Sequence, residues 1–375
     1  MKVAFILQDM FARGAQYVTA RMVQGFVMRG YDVDLIVSQY HNKFLLEGQT
    51  NFFTVPKKAN WIFLKNLRAR DNIFEIRHYL KTTDSEVLFS MSTGYTHAMR
   101  IATIGLHKRI KLVHVEHFFA GYDDFGQRKC SPGMFTPRGL ISRWYWSAFD
   151  RIFTVTSAGS DDFARMNPWY PRKNIRVVNN PAIDSEFSVR ATKQSSHPWL
   201  VDDSADWKTF ISAGAFVPSK GYMFLFEAMK CLAKRGERIR LIVFGEGAQE
   251  VEYRRFVTDE NLGNYISFGG YTANLPAEAS KAHGYISTSL VESFGITLVE
   301  ALAAGCRVVA FDAPFGPREI LADGKYGKLV PTGDVLALTD AIVDVSKEER
   351  IPCPPDAWRR YTVEATVDRY LKGIE

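Results

Sequence analysis

Short apolar, β-branched runs alternate along the chain with longer segments whose apolar positions recur every three to four residues. In the first half the runs are "KVAFILQ", "DVDLIVS", "VLFSM", "KLVHVEH", "RIFTVTS" and "IRVVNNP"; in the second they are "KTFISAGAF", "IRLIVFGEG", "ISFGGY", "GYISTS" and "CRVVAFD". Near-continuous apolar runs of this length are the pattern of strands covered on both faces. Strands alternating with helices predict parallel sheets, and two such series predict an α/β chain of two Rossmann-like doubly wound domains. The expected boundaries are an N-terminal domain over residues 1–185, a linker over 186–207 where periodicity gives way to Ser, Asp and Pro, and a C-terminal domain over 208–352. A closing amphipathic helix is expected within 353–375, with Trp358, Tyr361, Val367, Tyr370 and Leu371 at helical spacing.

Composition supports this reading. The 375 residues are 46% hydrophobic and 23% charged, as in globular proteins of more than one domain. No apolar run approaches the ~20 residues of a membrane span. Four widely spaced cysteines, Cys130, Cys231, Cys306 and Cys353, predict neither a zinc site nor a disulfide framework, so a cytoplasmic protein is expected. Charge is uneven: residues 1–180 carry 25 Lys and Arg against 14 Asp and Glu, and residues 181–375 carry 22 against 27. The basic half predicts an anionic partner, and the mixed basic and aromatic stretches 52–81 and 125–146 suggest peripheral contact with the inner face of a plasma membrane. No nucleic-acid motif accompanies that charge. The Asp32-Val-Asp34 triplet reads as turn residues at a strand start, and no metal or other cofactor is expected. No G-x-G-x-x-G follows the first strand, which argues against a dehydrogenase.

The segment "SLVESFGITLVEALAAGCRVVAF", residues 289–311, concentrates the candidate chemistry. A strand ends near Ser289, and a helix begins around Phe294 or Gly295 and runs to Ala304. Helix N-termini at the carboxyl ends of parallel strands bind phosphates, and Gly295 permits close backbone approach. Glu292 falls in the loop and Glu300 inside the helix. A lone pair of glutamates at this spacing would ordinarily be a dipole-facing residue and a solvated one. The apolar neighbours of Glu300 instead predict a buried carboxylate.

With "AGAFVPSKGYMFLFEAM", "LIVFGEGAQ" and "FGPREILADGKYGKLVPTGD" in the same order, residues 208–335 resemble retaining GT-B glycosyltransferases of the family 4, or glycosyl transferases group 1, type. Residues 1–180 resemble them more weakly, with "FARGAQYVT" at the family's Gly-rich first loop. The resemblance implies a GT-B fold, two domains facing across a cleft that holds a nucleotide-sugar. It implies that Glu300 binds ribose and that Glu292 holds the transferred sugar and faces the charge developing at its anomeric carbon. Backbone N–H groups of Ser293, Phe294, Gly295 and Ile296 would cradle the diphosphate, with Lys220 neutralising the leaving group. Gly245 and Gly14 would lie against the donor, and His117, with His114 as the alternative on the same strand, would support the reacting sugar. Glu116 and His97 are weaker candidates.

The family usually has an arginine five positions before Lys220. Here that position is Ala215, and Arg13 or Arg318 could supply the missing cation. The implied reaction is metal-independent transfer of a hexose or N-acetylhexosamine, from a UDP-sugar before a GDP-sugar, to a saccharide or lipid-diphosphate-linked saccharide acceptor in surface-polysaccharide assembly. The alternatives are a catalytically silent nucleotide-sugar- or glycan-binding partner and a phosphorylase or synthase on the same architecture.

Overall fold

The computed structural model describes residues 1–10, 14–38, 55–66, 68–106, 110–117, 121, 136–195, 197–201, 206–350 and 352–375. They form two compact units. One holds Met1–Gly121, the later stretch ending at Pro181, and Val363–Glu375; the other holds Ala182–Thr362.

In the first unit the described strands are β1 (Lys2–Ile6), β2 (Asp32–Ser38), β3 (Asn60–Leu64), β4 (Val87–Ser90), β5 (Lys111–Glu116), β6 (Arg151–Thr154) and β7 (Ile175–Val177). They make one parallel sheet in the order β3-β2-β1-β4-β5-β6-β7. The second unit repeats the plan with β8 (Lys208–Ala213), β9 (Ile239–Phe244), β10 (Ile266–Gly270), β11 (Gly284–Ser287), β12 (Arg307–Phe311) and β13 (Lys328–Val330), in the order β10-β9-β8-β11-β12-β13. Each sheet reverses its winding once, between β1 and β4 in the first unit and between β8 and β11 in the second. The crevice at the carboxyl ends of such a strand pair is where doubly wound folds bind ligands.

The strands are near-continuous apolar runs because helices cover both faces. β9 and β12 are almost wholly buried, and their Leu241, Val243, Val309 and Phe311 share a core with Leu225, Met229, Leu338 and Ile342 of the helices Tyr222–Lys234 and Val335–Lys347. Removing this apolar area from water is the main stabilising contribution of the layer.

Four sequence expectations change. β3 lies within the stretch read as a basic, aromatic surface. As an edge strand it is buried only at Leu64 and half-buried over Trp61, Ile62 and Phe63, so its apolar signal is mixed. Asp34 is not a turn residue; it is 1% exposed inside β2, accepting from the Tyr79 hydroxyl at 2.8 Å and from Asn60 Nδ2 at 2.9 Å. Residues 186–207, expected as a linker, carry the helices Phe187–Ala191 and Pro198–Val201 and belong to the second unit. The terminal helix spans Val363–Ile374 and packs on Gly14–Met28 in the first unit, while the residues before it stay with the second. None of the described helices is long and apolar enough to cross a membrane.

Candidate functional site

The switch point between β8 and β11 gathers the second unit's chemistry. After β8 the chain passes through Gly214 and Ala215, makes a 3-10 turn over Pro218–Lys220, and enters the helix Tyr222–Lys234 through Gly221. After β11 it runs through Thr288 and Ser289 to Glu292 and enters the helix Ile296–Ala303 through Gly295. The two loops are stitched together: Leu290 N–H donates to Ser219 O at 2.8 Å, and Thr288 Oγ1 donates to Lys220 O at 3.1 Å. Gly221 makes this approach possible. Its φ is +60°, and a Cβ there would stand 2.3 Å from Thr288 O.

The stitching delivers Lys220 Nζ to 2.5 Å from Glu292 Oε2, an ion pair between residues 72 positions apart. Ser289 Oγ donates to the same carboxylate oxygen at 3.0 Å. The pair is only partly buried, with side-chain exposures of 28% for Lys220 and 15% for Glu292, so an incoming ligand can reach both. On its other side Glu292 is fixed through its backbone, its carbonyl accepting from Gly316 N–H at 3.0 Å. Phe315, beside it, holds φ +85°, a conformation that costs a non-glycine residue of order 1–3 kcal/mol.

The helix Ile296–Ala303 follows directly. Its N-cap is Gly295 at φ +99°, without a capping side chain. The first N–H groups of a helix have no intrahelical partner, and Ser293 and Ile296 are only half-buried, so an anion can reach this backbone. Phe294 is buried and packs edge-on against Tyr361 at 5.3 Å. Glu300 is 5% exposed inside the helix, as its apolar neighbours predicted. Tyr285 of β11 bridges the layers, its hydroxyl hydrogen-bonded to Thr297 Oγ1 at 2.9 Å and to Ala213 O at 3.1 Å. Burial raises its pKa, and the nearby charges of Glu292 and Glu300 add to the rise, so it stays a neutral phenol.

Each remaining candidate has its own surroundings within its unit. Gly245 donates its N–H to Gly270 O at 2.8 Å, and a Cβ on it would stand 1.9 Å from Gly214 O; its visible contribution is the close packing of two loops. Ala215 is exposed at the site's edge. Arg318 is held by Asp312 and by Asp323, the latter at 3.2 Å. Arg13 lies outside the described residues. Gly14 opens the helix Gly14–Met28 after β1, with nothing within 4 Å of where a Cβ would be.

His117 follows β5 at the same carboxyl edge of the first unit's sheet. It is 8% exposed, and its Nε2 has no hydrogen-bond partner among the described residues. His114 instead packs against Trp146 and Phe149, a core position, with its Nε2 3.4 Å from Glu116. His97 is exposed, with its ring against Tyr145.

Burial, and secondarily the charge of His114, pushes the His117 pKa from 6.5 down to about 3. The folded state therefore keeps this ring neutral while the unfolded chain binds a proton below about pH 6.5. Its contribution to stability is complete above 6.5 and declines as pH falls toward 3, by up to about 1.4 kcal/mol per pH unit. The unfolding midpoint should therefore drop between pH 6.5 and 5, and His117→Gln should flatten that slope. An unchanged slope in the variant would assign the acid sensitivity elsewhere.

Ser289, Thr288 and Tyr285 were not singled out from the sequence, and Thr297 only for its place at the helix N-terminus. The hydroxyl-rich ending of "GYISTS" was the available signal, since polar side chains at a buried strand's end need partners.

Two doubly wound parallel sheets of this order, with a cation, a carboxylate and a helix N-terminus at the second switch point, define a GT-B fold. Over its whole length the chain superposes on HepE from Anabaena, solved with UDP and glucose, with a TM-score of 0.73 at 17% identity, covering 100% of this chain and 99% of that one. Residues 202–362 match the family model described as glycosyl transferases group 1, and residues 12–186 match glycosyltransferase family 4. The chain belongs to the GT-B glycosyltransferases of group 1. It is 30% identical over 254 residues to a phosphatidyl-myo-inositol mannosyltransferase of Mycobacterium leprae, covering 64% of this chain and 62% of that protein. It is 32% identical over 200 residues to a poly(glycerol-phosphate) alpha-glucosyltransferase of Bacillus subtilis, covering 53% of this chain and 28% of that protein. The chain thus spans less than two thirds of the length of these curated relatives.

Proposed function

We propose that the protein is a retaining glycosyltransferase that moves a hexose or N-acetylhexosamine from a nucleotide-sugar to a hydroxyl of a saccharide or lipid-linked saccharide. The observation that carries this reading is the Lys220–Glu292 pair, 2.5 Å apart beside the open N-terminus of Ile296–Ala303. That arrangement suits a ligand with a doubly charged diphosphate next to a ring of hydroxyls. The N–H groups from Ser293 to Ile296 and the Lys220 ammonium would hold the diphosphate. Glu292 would accept from the sugar hydroxyls and Glu300 from the ribose hydroxyls.

In the step itself the bond between the anomeric carbon and the diphosphate oxygen breaks, its electron pair leaving with the diphosphate. The acceptor oxygen bonds to the same face, and its proton passes to the departing phosphate oxygen. Lys220 and the helix N-terminus stabilise the negative charge that grows on the leaving group, which replaces a divalent ion in this reading. The carboxylate of Glu292 stabilises the positive charge at the anomeric carbon. The His117 ring is neutral, and its Nε2, without a hydrogen-bond partner among the described residues, is suited to a hydrogen bond with an uncharged sugar hydroxyl. UDP is favoured over GDP because HepE, of the same fold, was captured with UDP.

Titrating nucleotide-sugars while following thermal unfolding tests the reading. A UDP-sugar at a hundred times its dissociation constant should add about 2.7 kcal/mol of stability, and slow UDP release should persist in EDTA. Larger shifts with GDP-sugars would overturn the base preference. Shifts without any turnover, with acceptors present, would favour the silent binding partner, a reading that the exposed Ala215 in place of a cation keeps in view.

Peripheral membrane contact is the second part of the proposal. It is supported by the exposed Leu140, Ile141 and Trp144 on the helix Pro137–Trp146, where Arg100 lies over the Trp144 ring at 4.8 Å. Anionic liposomes should sediment the wild type and release Leu140→Ser/Trp144→Ser; equal sedimentation of both would remove this surface from the proposal.

A further inference from the structure

The Glu292 carboxylate is held by one of its two oxygens. Among the described residues both side chains that donate to it converge on Oε2, Lys220 Nζ at 2.5 Å and Ser289 Oγ at 3.0 Å. A carboxylate oxygen has about two lone-pair sites, so this pair of donors fills Oε2. Oε1 is left to accept from a ligand.

The two donors differ in how firmly they are committed. The Lys220 side chain is 28% exposed, and its ammonium ends a flexible stem with three rotatable N–H donors. Any contact that it makes with a phosphate competes with its hold on Glu292. Ser289 is 4% exposed, so its hydroxyl lies out of reach of a ligand in the open part of the site. It carries no charge for a phosphate to attract. Its backbone is pinned on both sides, by Thr288 Oγ1 donating to Lys220 O at 3.1 Å and by Leu290 N–H donating to Ser219 O at 2.8 Å. The serine therefore offers a fixed donor three residues before a glutamate whose long side chain would otherwise sample several rotamers.

We propose that Ser289 is the positioning residue of Glu292: it keeps Oε2 in place while the diphosphate draws on Lys220, and so presents Oε1 to the transferred sugar. The proposal rests on the transferase reading and adds a residue that touches neither donor nor acceptor. The demand on Ser289 follows the charge on the leaving group. In the free protein Lys220 and Ser289 share the carboxylate. As the bond to the anomeric carbon breaks, negative charge grows on the phosphate and pulls harder on the ammonium, just when the carboxylate must face the positive charge developing on the sugar. A hydrogen bond that matters most at that moment acts on kcat more than on KM.

The test uses the full chain and the fastest donor among UDP-glucose, UDP-N-acetylglucosamine and GDP-mannose, with release of nucleoside diphosphate as the readout. Ser289→Ala should lower kcat about tenfold and leave KM within about threefold. Ser289→Thr and Ser289→Val have nearly the same shape and differ in the hydroxyl, so Thr should keep most of the turnover and Val should lose it; this pair separates the hydrogen bond from packing even where both variants melt early. In a Glu292→Ala background the added Ser289→Ala should cost less than about twofold, because the serine acts only through that carboxylate. Turnover by Ser289→Ala within about twofold of the wild type, a loss confined to KM, or the same tenfold loss in the Glu292→Ala background would overturn the proposal and leave the transferase reading standing. A wild type that binds a nucleotide-sugar without turnover would sink the transferase reading instead. The serine is then read from binding: the thermal shift that UDP-glucose gives beyond UDP should shrink in Ser289→Ala, and an undiminished difference would overturn the positioning as well.

Discussion

Lys220→Ala should lower kcat/KM for donor turnover by about 10²–10³, the range seen when one preorganised charge-stabilising group is removed. Lys220 Nζ is the one cation that the described loops bring to the Glu292 carboxylate, and Arg318, named as a substitute from the sequence, is engaged by Asp312 and Asp323. The loss should be divided. A nucleotide-sugar already carries a charged diphosphate, so part of it appears in KM; the further negative charge that develops on bond breaking appears in kcat. Lys220→Arg should recover a fraction, because its charge is kept while its planar fork and longer reach suit this pocket differently. Pairing Lys220→Ala with Glu292→Gln adds a sharper criterion. Residues that act as a unit lose less together than the sum of their separate losses, so the double variant should be little worse than Lys220→Ala. Steady-state release of nucleoside diphosphate from the proposed donor measures all three. A Lys220→Ala enzyme within about threefold of the wild type in kcat/KM would remove the lysine from the chemistry.

Gly316→Ala should be among the most damaging single methyl additions in the second unit. A Cβ at Gly316 would stand 1.8 Å from Phe294 O and 2.5 Å from its carbonyl carbon. Both are backbone atoms, so no side chain can swing aside. The same segment donates Gly316 N–H to Glu292 O, and the strained Phe315 precedes it. Pushing the strands of this loop apart should cost about 3 kcal/mol and move Glu292 away from Lys220. Expected results are a lowered unfolding midpoint and loss of the donor-induced thermal shift. Gly263→Ala is the control, since a Cβ there meets nothing within 4 Å. If Gly316→Ala melts with the control and keeps its donor response, the close approach of these two loops is not what holds Glu292.

Much of this organisation is visible along the chain. Buried parallel strands are apolar without interruption, so β1, β2, β8, β9 and β12 stand out as runs, and a glutamate surrounded by Ile, Leu, Val and Ala in "ITLVEALAAG" is buried because its helix is. β3 escapes because an edge strand has fewer covered positions. Residues 186–207 escape because helices of four or five residues are too short to show a period. Ser289, Gly316 and the Lys220–Glu292 contact escape for a different reason, being defined by loops that meet only after both switch-point strands have paired with each other.

The amino-acid order, through the alternation of apolar runs and helical periods, is enough to set two doubly wound sheets, the helix after Gly295 and the burial of Glu300, because these depend on spacing within one segment. The ion pair, the serine that shares its carboxylate and the backbone clamp at Gly316 depend on the strand order β10-β9-β8-β11-β12-β13, which puts residues dozens of positions apart into contact. Such contacts form only after the folded sheet has offset the cost of closing the loops between them.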